Sequence, residues 1–337
     1  MRLAILSVSK KGYDLSLKIK NKLDNDSTII KCDIYYKDVK NTLNLLFYEY
    51  DAIIAIMASG ILIRSVSHLL ESKTTDPAIL NIDDNGNFVI SMLSGHLGGA
   101  NKLTYKIAEL INTTPVVTTS TDVNKKLGID VLARDLYLSI DNTKEILYFN
   151  KSILEGKKIS FTLNDNENYD YLCDYLSNNT LEIDVSINFS GNVNNGEIEA
   201  ECDNHKILLK PRKIVFGIGC RRGKTSNDIK KAIQTVSNDL SIDISRINMF
   251  ASAEIKKNEK GILDLSKELD IPVNFVDLDK LKLFKSNDIQ ESEFVMSKFQ
   301  IPGVCEPSAL ITAGYDSKLI YKKRAFDGIT VCVALSK

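Results

Sequence analysis

The run DAIIAIMAS, residues 51–59, is short and almost wholly apolar, with no polar stripe along it. A strand that alternates apolar and polar residues keeps one face in water. A strand without that alternation is covered on both faces, as in a parallel sheet between layers of helices. The neighbouring segments complete the pattern. RLAILSVS (2–9) is a short apolar run, and Leu15, Ile19 and Leu23 follow at helical spacing. STIIKCDIYY (27–36) reads as a second strand and VKNTLNLLFYEY (39–50) as a helix. After Gly60, ILIRSVSHLL (61–70) is again helical. DPAILNIDDNGNFVISML (76–93) reads as two strands around an Asn85-Gly86 turn, a strong hairpin signal. A helix then runs through Ile111, and TPVVTTST (114–121) is the next strand. Strands alternating with helices predict a three-layer α/β domain with a largely parallel sheet.

At 337 residues the chain is too long for one ordinary domain. The expected division is an N-terminal α/β domain over 1–135, a small middle α/β module over 136–211, and a C-terminal α/β domain over 212–337. The middle module is marked by asparagine-rich clusters, LNDNENYD and SGNVNNGE, between a helix near 142–155 and the strands KISFTL and EIDVSINF. No unusual chemistry is concentrated there, and the module reads as a tether. In the last part KIVFGIG (213–219) is a strand and SNDIKKAIQTVSNDL (226–240) a helix, with Thr225 and Asp228 spaced as a capping box. KLIYKKRAFDGITVCVAL closes the chain as a hairpin.

A formal net charge of −1 gives no overall attraction to nucleic acid or to a membrane surface, so an anionic ligand must be met by local groups. The 6 cysteines are scattered, with no CxxC pair. That pattern argues against a zinc site or a disulfide framework and fits a reducing compartment. No apolar run approaches the roughly 20 residues that span a bilayer. MRLAILSVSKKGYD reads as a first strand rather than a signal peptide. A soluble, cytoplasmic protein is expected.

Four segments fall just past strands, where open α/β sheets bind ligands: MASG (57–60), LSGHLGGAN (93–101), TTSTDVN (118–124) and GIGCRRG (217–223). In the second, Gly95 can turn the chain, and Gly98 and Gly99 can leave backbone N–H groups open to an anion at a helix start. It is neither GxGxxG nor a P-loop, so a nucleotide is not indicated. His96 lies in this glycine loop rather than on an apolar face, which suits proton transfer near neutral pH; a histidine bonded to a neighbouring loop is the alternative. Asp122 can orient a histidine or a water, or simply cap a turn. Arg221 and Arg222, in a glycine-flanked loop, suit a ligand with several carboxylates, or form a solvated pair. Cys220 beside them raises the question of a lowered thiol pKa. Glu306, in PGVCEPSAL, is an acid/base candidate or a cap for a helix starting at Pro307. His68 and His205 read as structural or surface residues.

MASGILIR, KTTDPAIL, LSGHLGGAN and TTSTDVN, in this order, resemble the N-terminal part of the cobalt-precorrin-5A hydrolase (CbiG) family of anaerobic cobalamin biosynthesis. GIGCRRG and PGVCEPSAL resemble its C-terminal domain. Ser59 departs from that pattern, standing where threonine is expected. The resemblance implies an enzyme that opens the δ-lactone of a cobalt-bearing, ring-contracted tetrapyrrole with water and expels acetaldehyde by a retro-aldol-type cleavage. It implies no resident metal or cofactor, the cobalt being part of the substrate. Its partners would be the cobalt-precorrin and neighbouring corrin-pathway enzymes, with no nucleic acid and no membrane. On it we expect His96 as general base, Asp122 as its orienting group and Glu306 as a third catalytic group. Ser59, Gly60, Ser94, Gly95, Gly98, Gly99, Asn101, Thr119, Arg221 and Arg222 are expected to bind substrate. A non-catalytic corrinoid carrier, or an unrelated enzyme of polycarboxylates, would use the same glycine loops and arginines.

Overall fold

The computed structural model describes residues 1–165 and 169–337; residues 166–168, within LNDNENYD, lie outside the described residues. The chain divides into two compact units. One comprises Arg2–Asp24 and Cys32–Pro211, the other Met1, Asn25–Lys31 and Arg212–Lys337.

The first unit holds two sheets. A six-stranded sheet is built from β1 (Arg2–Ser7), β2 (Lys31–Tyr36), β3 (Ala52–Ile56), β4 (Ala78–Ile82), β5 (Phe88–Leu93) and β6 (Thr114–Val116), in the order β2-β1-β3-β4-β5-β6. β1, β3 and β4 are parallel, and all five residues of β3 and of β4 are buried, as an apolar run without alternation demands. The helices are α1 (Lys10–Leu23), α2 (Val39–Glu49), α3 (Ser59–Val66) and α4 (Ala100–Ile111). The Asn85-Gly86 turn reverses the chain, so β5 runs antiparallel to β4, and β6 is parallel to β5.

That reversal divides the loops between two edges. Ile79 pairs with Leu93, whereas Ile56 pairs with Ile82 and Ile82 with Val89. The loop after β5 and the loop after β6 therefore share the edge at which β3 and β4 begin. The loop after β3, MASG, lies at the other edge, a strand length or roughly 15 Å away.

After β6 come two short helices, α5 (Ser120–Val123), which begins where the sequence extends the strand to residue 121, and α6 (Ile129–Asp135). The second sheet follows, with order β7-β11-β10-β8-β9, from β7 (Leu138–Ile140), β8 (Ile159–Leu163), β9 (Val185–Phe189), β10 (Ile198–Cys202) and β11 (His205–Pro211). Burial alternates strictly along β8 and β10, leaving one face wet and the other packed on α6, α7 (Ile146–Leu154) and α8 (Asp170–Asn178). Leu127, Ile129, Leu132 and Ala133 belong to this core, and Leu97 from the glycine loop packs against it.

In the second unit the sheet order is β14-β13-β12-β16-β15, from β12 (Ile214–Cys220), β13 (Met249–Ala253), β14 (Val273–Val276), β15 (Lys318–Phe326) and β16 (Ile329–Leu335). The closing hairpin and the helix α9 (Ser226–Leu240) stand where the sequence places them, and Thr225 with Asp228 forms the capping box. The remaining helices are α10 (Lys260–Leu269), α11 (Leu278–Leu283), α12 (Glu293–Phe299) and α13 (Cys305–Ala313). α13 lies close on the sheet at Gly217, where a Cβ would press on the Cys305 carbonyl oxygen and stand 2.6 Å from Cys332 Sγ. The segment 25–31 joins this unit: Ile30 packs on the cluster of Val215, Ala309 and Leu319, and the Lys322 N–H donates to the Ser27 carbonyl at 2.7 Å.

Candidate functional site

The loop after β5 turns through Ser94, which has φ 56, and ends at Gly99, φ 85, the residue that caps α4. Both are left-handed conformations, cheap for glycine and costly for serine. Gly95 and Gly98 are required for space. A Cβ on Gly98 would stand 2.7 Å from the Ser94 carbonyl oxygen, and one on Gly95 would stand 2.7 Å from Asn101 Oδ1. The loop carbonyls take up the first amides of the helix: Ala100 N–H donates to Ser94 and Asn101 N–H to Gly95. Gly99 N–H donates to the His96 carbonyl at 3.0 Å, so this amide is not open to an anion as the glycine pattern suggested.

The loop holds the His96 ring between two carboxylates. Nε2 is 2.9 Å from Asp122 Oδ2, on α5, and Nδ1 is 3.1 Å from both oxygens of Asp130, on α6. Thr121 Oγ1 lies 3.1 Å from Nε2. The arrangement is braced from every side. Asn101, buried, donates to Thr119 Oγ1 at 2.6 Å and to Asp122 at 3.1 Å, and accepts from Ser91 Oγ at 2.7 Å. Asn150, on α7, donates to Asp130 at 3.0 Å and accepts the Ile129 N–H at 2.9 Å. The Arg134 guanidinium donates to the His96 carbonyl at 2.7 Å and pairs with Asp135. Ser94 Oγ is buried with no hydrogen-bond partner among the described residues.

Burial opposes charge on the His96 ring, but the hydrogen bonds to Asp122 and Asp130 outweigh it and raise the imidazole to about 9. Burial likewise disfavours ionised Asp122 and Asp130, yet the hydrogen bonds and charge of His96 hold both carboxyls below the usual carboxylate range. At neutral pH the centre is therefore an imidazolium donating from both nitrogens. In this state it is a proton donor. The Asp130 side chain is 5% exposed and that of Asp122 16%, so the Asp122 side of the ring is the more open to solvent.

His96, Asp122, Asn101, Thr119, Ser94 and Gly95 are thus brought together, as the sequence suggested. Ser59 and Gly60 are not. They sit at the opposite edge of the sheet, where Ser59 Oγ donates to Asn81 Oδ1 at 2.5 Å and Asn81 donates to the Ala55 and Met57 carbonyls. Asp130 and Asn150 were missed. The available signal was a carboxylate inside the apolar run Ile129–Ala133, a residue type seldom buried without a partner.

In the other unit, Arg221 and Arg222 are exposed and form no ion pair among the described residues; the Arg221 N–H donates to the Gly328 carbonyl at 2.8 Å. Burial pushes the Cys220 thiol up, which removes the case for an activated cysteine. Glu306 is 2% exposed, on the first turn of α13, and accepts the N–H groups of Gln290 at 2.9 Å and Lys323 at 2.8 Å. Its carboxylate ties two backbone segments together. His68 is exposed beside Asn44, and His205 stacks on Tyr148.

The family described as cobalamin synthesis G N-terminal matches residues 41–122, and that described as cobalamin synthesis G C-terminus matches residues 214–334. A Methanocaldococcus jannaschii protein named "Probable cobalt-precorrin-5A hydrolase" is 31% identical over 343 residues, 99% of each chain. The cobalt-precorrin-5A hydrolase of Priestia megaterium is 28% identical over 309 residues, 88% of this chain and 82% of that one. A crystal structure of a cobalamin biosynthesis protein G homologue from Sulfolobus solfataricus superposes with a TM-score of 0.60 at 27% identity, covering 100% of this chain and 97% of the other. Asp130 and Asn150 fall between the two matched spans. With a relative above 30% identity along its whole length, the chain belongs to the cobalt-precorrin-5A hydrolase (CbiG) family.

Proposed function

We propose that the protein opens the δ-lactone of cobalt-precorrin-5A with water and releases acetaldehyde, leaving the ring-contracted macrocycle with a free carboxylate. The observation that carries this reading is the likeness to the M. jannaschii relative along the whole of both chains. The site geometry suits the chemistry. Ester opening needs a proton for the departing oxygen, and cleavage of the resulting hydroxyethyl group needs that hydroxyl deprotonated. His96, with Asp122 on its open side, stands as the group that moves these protons. Asn101 and Thr119 orient Asp122. Arg221 and Arg222 are the groups we assign to the carboxylates of the substrate, since both are exposed cations without an internal partner among the described residues.

The cobalt belongs to the substrate, and neither bond change calls for a resident cofactor. The six cysteines are free, which fits a reducing cytoplasm shared with other corrin-pathway enzymes. No helix among the described residues is long and apolar enough to cross a membrane.

Incubation with cobalt-precorrin-5A and an assay for acetaldehyde tests the reading. Turnover by the wild-type protein is expected, with losses of roughly 10²- to 10⁴-fold in His96→Ala and His96→Gln while substrate binding persists. Stoichiometric binding with no acetaldehyde would instead identify a carrier.

A further inference from the structure

The imidazole is more enclosed on its Nδ1 side. Asp130 meets Nδ1 with both oxygens, is the more buried of the two carboxylates, and is anchored by Asn150. Gly128 is required for space beside this pair, since a Cβ there would stand 2.8 Å from Asp130 Oδ1 and 3.2 Å from Asn150 Oδ1. Arg134, one turn further along α6, fixes the histidine's own carbonyl. The ring cannot turn over without leaving Asp130, so Nε2 is the nitrogen that faces the open side. Both Asp130 and Asn150 come from the segment between the two matched spans, and Asn150 from the middle module in which the sequence concentrates no unusual chemistry.

We propose, on the hydrolase reading above, that Asp130 is a positioning residue, and that the ring it holds serves one substrate oxygen twice. Nε2 gives its proton to the lactone oxygen as the ester opens, and takes it back from the same oxygen before the carbon–carbon bond breaks. In the first step water adds to the lactone carbonyl and passes one proton to Asp122. The tetrahedral intermediate collapses, the ester C–O bond breaks, and the departing oxygen takes the Nε2 proton. The two transfers reinforce each other, because Asp122 becomes more basic as the ring beside it loses charge. Asp122 then returns its proton to solvent. In the second step the neutral Nε2 removes the hydroxyl proton and the aldehyde C=O forms. The electron pair of the broken C–C bond stays on the macrocycle, which takes up one proton. Lactone and one water thus give a carboxylic acid, acetaldehyde and a protonated ring carbon, with the imidazolium restored.

The charged groups facing the ring are Asp122 from α5 and Asp130 from α6, with the Arg134 guanidinium at its carbonyl; Lys102 of α4 pairs with Asp135 instead. The chain has 3 histidines, so the ring nitrogens of His96 can be followed by NMR and assigned with single substitutions at His68 and His205. In Asp130→Asn the His96 titration midpoint is expected to fall by about tenfold or more in proton affinity, and in Asn150→Ala, which removes no charge, to fall less. With cobalt-precorrin-5A, Asp130→Asn should lower kcat by roughly 10²-fold or more with little change in KM, and move the alkaline limb of the kcat profile to lower pH. An unchanged titration and pH profile in a folded Asp130→Asn overturns the positioning role. Accumulation by His96→Gln of the lactone-opened species, one water heavier than substrate, overturns the double use of one ring. Absence of acetaldehyde from the wild-type protein overturns the assigned reaction, whereas the NMR titration, which needs no substrate, still decides whether Asp130 holds the ring.

Discussion

His96 couples the fold to pH. Its imidazole has an ordinary pKa of 6.5 and about 9 in the folded protein. The stabilisation is therefore complete below pH 6.5 and is lost as pH rises through about 9. Asp122 and Asp130, held low, stabilise above the ordinary carboxylate range and cease to do so as pH falls through their folded values. The cluster contributes most from about pH 4 to 6.5. At about 1.4 kcal/mol per tenfold change in proton affinity, the alkaline loss is on the order of 3 kcal/mol. Urea unfolding at pH 6 and pH 9.5 should show that loss in the wild-type protein, and His96→Gln should flatten it. At this scale the sequence was informative about His96, because a histidine among glycines has little packing to do. It was silent about Asp130, because a carboxylate in a short apolar helix is recognisable as functional only once its partner in another loop is known.

Among elements, the direction of β5 decides which loops can cooperate. The Asn85-Gly86 turn made the hairpin legible, but not that β5 stays in the same sheet between β4 and β6 and so carries its loop to the edge opposite the loop after β3. Period and turn chemistry report on neighbours in the chain, whereas the placing of a reversed strand depends on pairings distant in it. Ser59 and Gly60 were grouped with His96 for that reason. Ser59→Ala should leave acetaldehyde release within a few-fold of wild type while costing about 1 kcal/mol of stability through the lost bond to Asn81, as read by kinetics and denaturant unfolding. The short helices α5 and α6 were missed because four and seven residues show too little periodicity to separate them from strand or turn.

For the molecule as a whole, the segment between the two matched spans is more than a spacer, since it supplies the inner wall of the His96 centre. The run 27–36, read as one strand, changes allegiance along its length: residues up to Lys31, the first of β2, group with the C-terminal unit and those from Cys32 with the other unit. Ile30→Asp should destabilise the C-terminal unit by roughly 1–3 kcal/mol, by placing a charge against the face formed by Val215, Ala309 and Leu319. Hydrogen exchange at β12 and α13 would report it, and unchanged protection there would show the segment to be a bystander. The borrowed isoleucine also bears on ancestry. A gene beginning at the codon for Arg212 would encode a domain whose hydrophobic face lacks one of its coverings, so a free-living copy of this module must either evolve its own replacement for Ile30 or lend that bare surface to another chain.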